Sequence, residues 1–332
     1  MMQQLHKGHL GRDSSPGAQG EHKQDKRMLA ATIQDRAFKH ISLLAALAVL
    51  ALVVVIVYQL TTNAWEAISR YRLGFVLSSV WDPVFHDYGA LPFVFGTVVS
   101  SLLALLIAVP LSLGVAIFLS EIATAKLRRP IIFLVEVLAS IPSVIYGLWG
   151  IFVLVPLVRQ SQPFFQRWFG FLPIFQGPPF GYSLLAAAII LAIMIIPTIT
   201  SLSRDALAAV PNHQREASYA LGASHWETIK NVVLPYNKSG IIAAVMLGLG
   251  RALGETMAVT MVIGNMPQIS ASLFMPAQTM ASLIANEFGE AVSPLHVSAL
   301  MEIGLLLFLV TLLINVLAKF LTTRTKHKGV QK

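Results

Sequence analysis

An all-α protein that crosses a membrane six times is the fold class this sequence predicts, and three observations carry the prediction. Of its 332 residues, 55% are hydrophobic and only 12% charged, with a mean hydropathy of +0.69. A soluble domain carries roughly 25% charged residues to cover its surface, so composition alone excludes an ordinary globular fold, and it equally excludes collagen-like, coiled-coil and wholly disordered chains. Six apolar runs are each long enough to cross a hydrocarbon core of roughly 30 Å at a rise of about 1.5 Å per residue. Basic residues, finally, are dense in alternate connecting loops. Cysteine is absent, which removes disulfides, thiolate metal sites and thiol nucleophiles together.

Residues 1–36 are polar and without apolar period, which predicts a disordered tail. Its His6, His9 and His22 are irregularly spaced and read as incidental, so no metal site is expected. The run Ile41–Leu60 is too long and too far from the N-terminus for a signal peptide and is read as the first span. The others are Leu91–Ser120, Ile131–Val158 (interrupted by Glu136), Tyr182–Ser203, Gly240–Gly264 (carrying Arg251 and Glu255) and Val297–Ala318 (carrying Glu302). A membrane domain over 37–320 results, with a loop 204–239 between the fourth and fifth spans and a basic tail 321–332. Glu136 and Glu302 lie toward the ends of their spans, where snorkelling to the interface is expected.

Nineteen of the 24 Lys and Arg residues fall in the N-terminal tail, the second-to-third loop, the fourth-to-fifth loop and the C-terminal tail. The opposite side holds Arg70, Arg72, Arg159 and Arg167. Positive charge marks the cytoplasmic side, so both termini are expected in the cytoplasm. The same split accounts for the net charge of +8 and the pI of about 9.8. Basic flanks hold helices against anionic lipid, and nucleic-acid binding is not implied. Phe164, Phe165, Trp168, Phe169 and Phe171 crowd one outer loop as interfacial anchors.

The chain has no Gly-Lys pair, hence no phosphate loop of its own for hydrolysing ATP. Gly248 to Gly254 has the wrong spacing for a dinucleotide loop and lies in an apolar helix. Gly250 and Gly254 read instead as a small-xxx-small pair for close helix packing. Arg251, about 16 Å into its span, sits near the bilayer midplane with Glu255 at i+4 on the same helical face. Two readings stand: an internal ion pair that fixes packing, or a solute site or gate. In the second, the planar fork of Arg251 fits an oxyanion, while Glu255 accepts the proton of hydrogen phosphate and repels sulfate. Pro110, Pro142 and Pro197 can kink their spans, and Ser140 and Ser143 place hydroxyls at one such kink as candidate pathway lining.

In the loop 204–239, Glu216 to Gly222 and Trp226 to Val233 form two short helix-forming stretches, stopped by Gly222 and Pro235. Glu216, Ala217, Gly222, Leu234 and Pro235 stand at the spacing of the EAA motif of ABC importer permeases, with Ser218 for the second Ala and Val232 for the usual Ile. The segment GLGRALGETMAVTMVIGN, residues 248–265, resembles the permeases of phosphate-specific ABC importers, and its TMAV ending is closer to the PstC than to the PstA type. The stretches YGALPFVFGTVVSSLLALLIAVPLSLGVAIFLSE, IPSVIYGLWGIFVLVP, LAIMIIP and ANEFGEA are similar as well, so the resemblance covers everything after the tail.

That resemblance implies the MetI-like fold of type I importer permeases in a bacterial inner membrane. It implies a pore shared with a PstA-like permease, two copies of a PstB-like cytoplasmic ATPase, with the EAA loop docking into a groove on the ATPase subunit, and a PstS-like periplasmic phosphate-binding protein on the outer loops. ATP and Mg then belong to the ATPase, this chain binds no cofactor and is not itself an enzyme, and Arg251 and Glu255 matter for transport. Permeases for molybdate, sulfate or phosphonate would share the loop and differ around Arg251. An ion-coupled secondary transporter would need no ATPase. A membrane-embedded lipid phosphatase would need a cluster of His, Asp or Glu, and none stands out.

Overall fold

The computed structural model describes the backbone of residues 16–327 and the side chains of residues 36–320. Its contacts divide the chain into residues 1–59 and residues 60–332. Helix α1, Pro16–Asn63, begins in the first unit, and its stretch Arg36–Asn63 is long and apolar enough to cross a membrane. Of the expected disordered tail, residues 1–15 lie outside the described residues, as do the side chains of His6, His9 and His22. From Pro16 onward the backbone is helical instead. Proline suits the first helical turn, and residues 21–32 hold Glu, Gln, Lys, Arg, Met, Leu and Ala, all good helix formers, so the helix extends outward from the span.

The second unit opens with α2 (Trp65–Tyr71) and α3 (Leu73–Leu77), then two short antiparallel strands, β1 (Trp81–Asp82) and β2 (Asp87–Tyr88). Next come α4 (Leu91–Ile117), prolonged by a π turn to Ile122, then α5 (Ala125–Ser140), α6 (Ser143–Trp149), a π turn over Gly150–Leu154, and α7 (Val155–Phe169). Helix α8 (Leu184–Ala208) is the centre of the unit, packed between α4 and α12 (Lys238–Gly254). It earns that place by side-chain size. Ala186, Ala187, Ala188 and Ala192 let neighbouring backbones approach, while Ile190, Leu191, Ile195 and Ile199 fill the space between them. The remaining α-helices are α9 (Asn212–Ala220), α10 (His225–Thr228), α11 (Leu234–Tyr236), α13 (Met257–Ile263), α14 (Met280–Glu287) and α15 (Pro294–His327), with a π turn over Ile229–Val233 between α10 and α11.

Among the described residues, five helices, or six when the bent pair 225–236 and 238–254 is one span, are long and apolar enough to cross a membrane. Two expected spans are divided. The run 131–158 breaks at Ile141 and Pro142, both extended, because a residue before proline is pushed out of the helical region. The continuous apolar helix is Ser143–Phe169, which takes in residues expected in an outer loop, while α5 packs separately on α8. The run 240–264 breaks at Glu255, and α13 follows as a separate helix. Pro110 and Pro197, by contrast, lie inside unbroken helices, where Ser112 Oγ of α4 donates to the Ile196 carbonyl of α8 at 3.2 Å.

Glu302 does not snorkel. Its residue is 8% exposed, and among the described residues Oε2 has no hydrogen-bond partner. Eight residues into α15 it stands about 12 Å from the helix start, beyond the reach of a short side chain. Close packing elsewhere rests on Gly96, where a Cβ would lie 2.1 Å from the Gln278 carbonyl oxygen. We expect Gly96→Ala to cost about 1–3 kcal/mol of stability through overpacking, read as a lowered unfolding temperature of the purified protein in detergent.

Candidate functional site

Arg251 occupies the last turn of α12 and is half-buried. Its Nη1 donates to Thr198 Oγ1 of α8 at 3.0 Å. Thr198, Ala243, Met246, Leu247, Gly250, Arg251 and Asn315 line a groove of about 700 Å³. Except for Thr198, Arg251 and Asn315 the lining is apolar, so the guanidinium is the one formal charge among the lining residues. A fork of N–H donors on a low-dielectric wall is a site for a planar or tetrahedral oxyanion.

The i+4 pairing of Arg251 with Glu255 is corrected by the structure. The helix stops at Gly254, Glu255 takes an extended conformation (φ −70°, ψ 125°), and the two side chains form no ion pair among the described residues. Glu255 Oε1 instead accepts from the Ala258 backbone N–H at 3.2 Å, at the N-terminus of α13. There the carboxylate satisfies a helix donor and complements the positive end of the helix. Arg251 and Glu255 therefore flank a break in the fifth apolar run, and each carries a charge with its own partner.

Gly250 and Gly254 were expected to receive a neighbouring helix. Among the described residues, nothing comes within 4 Å of a Cβ placed at either. Gly248 takes the packing role, its Cβ position lying 2.7 Å from Ile199 side-chain atoms. Among the described residues, the face bearing Gly250 and Gly254 is left without a closely packed neighbour. Ser140 and Ser143 flank the Pro142 break, but Ser140 Oγ is turned onto its own helix, donating to the Val137 carbonyl at 2.8 Å. Neither serine lines the Arg251 groove.

The loop 204–239 folds as a knob of short helices. Glu216 and Ala217 are exposed on α9, Gly222 makes the turn at φ +86°, and Leu234 and Pro235 begin α11. Ser224 caps α10 in a reciprocal capping box with Glu227. Ser218, the departure from the motif, bonds Thr228 Oγ1 at 2.9 Å and ties α9 to α10. Tyr219 OH and His225 Nδ1, 2.8 Å apart, add a second tie. Leu221 at the tip is 90% exposed and Trp226 62%. The knob meets α12 at a bend of 70°. Arg215 was missed in the sequence: it reaches Glu121 at the end of α4, and the hydrogen bonds it donates to that carboxylate hold its pKa above the ordinary arginine value.

A family model described as "Binding-protein-dependent transport system inner membrane component" matches residues 108–327. The phosphate transport system permease protein PstC of Mesorhizobium japonicum is 47% identical, over 88% of this chain and 91% of that protein. Its counterpart in Haemophilus influenzae is 48% identical, over 87% and 93%. A solved structure of the MetNI methionine ABC transporter matches with a TM-score of 0.55 at 19% identity, covering 74% of this chain and 99% of that one, and so shares the fold. The chain belongs to the binding-protein-dependent inner membrane permeases, and among them to the PstC phosphate transport permeases.

Proposed function

We propose that this chain is one of two permease subunits that form the pore of an ATP-driven phosphate importer in a bacterial inner membrane, with both termini in the cytoplasm. The observation that carries the reading is the identity of nearly half the residues with PstC phosphate permeases across almost their whole length. The Arg251 groove supports it, because a guanidinium fork at membrane depth suits a phosphate oxyanion. The open face at Gly250 and Gly254 suits close approach by a PstA-like second permease.

In this reading ATP and Mg are held by the partner ATPase, and this chain supplies the path. Of the two copies of a PstB-like ATPase in the complex, one seats on the knob of α9 and α10, and a PstS-like periplasmic protein delivers phosphate to the outer face. Closure of the ATPases around ATP moves the knob. Through the bend at Asn237 that motion passes to α12, whose Arg251 lies about 20 Å beyond Lys238 along the helix axis. The pore then changes the side to which it opens, a two-state element biased by nucleotide inside and by the loaded binding protein outside.

Glu255 sets selectivity in this reading. Its carboxylate accepts a hydrogen bond from the hydroxyl of a protonated phosphate and repels a fully ionised sulfate. Labelled phosphate uptake, in cells lacking their own permease and complemented with this chain and its partners, should resist excess sulfate. With Glu255→Gln that resistance should fall about tenfold, the scale of one lost charge-assisted hydrogen bond. Unchanged discrimination in Glu255→Gln would remove Glu255 from the selectivity mechanism.

A further inference from the structure

One ion pair plays no part in the translocation scheme above. Arg215 immediately precedes Glu216 on α9, and all five of its N–H groups are used. Nε donates to Glu121 Oε2 at 3.0 Å, and Nη2 donates to Glu121 Oε1 at 2.8 Å and to the Leu207 carbonyl at 3.1 Å. Nη1 donates to the Val210 carbonyl at 2.5 Å and to Asn212 Oδ1 at 3.4 Å. Ser120 Oγ completes the carboxylate at 2.7 Å. The side chains of Arg215 and Glu121 are 15% and 5% exposed.

Three elements meet on this guanidinium. Glu121 stands in the π turn that ends α4, a feature that often marks a functional position. Leu207 and Val210 supply carbonyls at the C-terminal end of α8, and Arg215 itself belongs to α9. Between α8 and α9 the backbone is broken at Pro211, which is extended at φ −63° and ψ 140°. Val233 and Leu234 of the knob also pack with Ala116 and Leu207 at the ends of α4 and α8, so apolar contact carries part of any movement to these helices, and a directional polar link remains to be made across the break. The bidentate pair bridges it, with a geometry that only a planar fork can satisfy.

We infer that Arg215 and Glu121 are positioning residues for energy coupling: together they transmit displacement of the knob to α4 and α8 as a unit. The inference rests on the reading that the knob seats an ATPase. It adds a second route, through α4 and α8, beside the direct one through α12.

The test uses the whole transporter, this chain with its permease, ATPase and binding-protein partners, in proteoliposomes. The readout is phosphate moved per ATP hydrolysed, with the amount of ATPase attached measured in parallel. Lysine offers three donors from a single point and cannot reproduce the fork, so Arg215→Lys should lower that ratio roughly tenfold while the ATPase remains attached. Glu121→Gln, which keeps the shape and removes the charge, should do the same, and it carries the measurement if Arg215→Lys does not fold. A wild-type ratio in both variants would make the pair structural only and overturn the inference. Loss of the ATPase from the inserted protein would also overturn it, because the pair would then serve docking. Gly222→Glu separates the two levels: if that variant keeps both ATPase and uptake, the docking reading itself has failed.

Discussion

Arg251→Ala should lower phosphate uptake by about 100-fold or more while the assembled complex remains in the membrane. A hydrogen bond to a charged group contributes roughly 1.5–3 kcal/mol, and a fork making two of them accounts for that factor. Among the described residues Arg251 has the single partner Thr198, a neutral hydroxyl, so its charge is not consumed inside the chain. Removing it therefore breaks no internal ion pair, and the variant is expected to fold. Arg251→Lys keeps the charge on a flexible stem and loses the fork, so an intermediate loss of about tenfold is expected. Initial rates of labelled phosphate uptake, normalised to membrane-inserted protein, give the answer. A wild-type rate in Arg251→Ala would reduce the residue to a packing role.

Gly222→Glu should abolish uptake by separating the pore from its ATPase. Two effects combine. At φ +86° an L-residue is strained by about 1–2 kcal/mol, yet among the described residues nothing lies within 4 Å of the new Cβ, so the knob still has room to form. The larger effect is the carboxylate, set beside Leu221 and Trp226 on the surface proposed to enter an ATPase groove. An unpaired charge buried at an interface costs several kcal/mol, which corresponds to a loss of affinity of about 100-fold or more. Gly222→Ala isolates the strain and should cost about tenfold at most. Co-purification of the ATPase with the solubilised permease reads both. Full recovery of the ATPase with Gly222→Glu would remove the knob from the docking scheme.

Membrane residence was legible from run lengths alone, because about 20 apolar residues admit few other fates. The two breaks were less legible. Pro142 was visible as a kink, but that Ile141 and Pro142 divide the span, and that the next helix continues to Phe169, depends on α6 and α13 packing against each other. At Glu255 no proline signals the break. The cause is a carboxylate that captures the Ala258 amide, a local competition that apolar run length does not register. Within the site, Arg251 was found because a charge in a span is rare, but its partner Thr198 lies 53 residues away and emerges only once α8 and α12 are packed. Arg215 and Glu121, 94 residues apart, belong to the same class. Each looks like an ordinary charge at a span end, and only the fold brings them together.

The central claim is that this chain forms a phosphate path driven by a partner's ATP hydrolysis. It is tested most directly in proteoliposomes holding this chain, the second permease and the ATPase, with loaded binding protein outside and ATP inside. The account predicts phosphate entry that requires ATP, survives a proton uncoupler, resists excess sulfate and molybdate, and is lost in Arg251→Ala. Entry that proceeds without ATP, or that molybdate or sulfate suppresses as effectively as unlabelled phosphate, would contradict it.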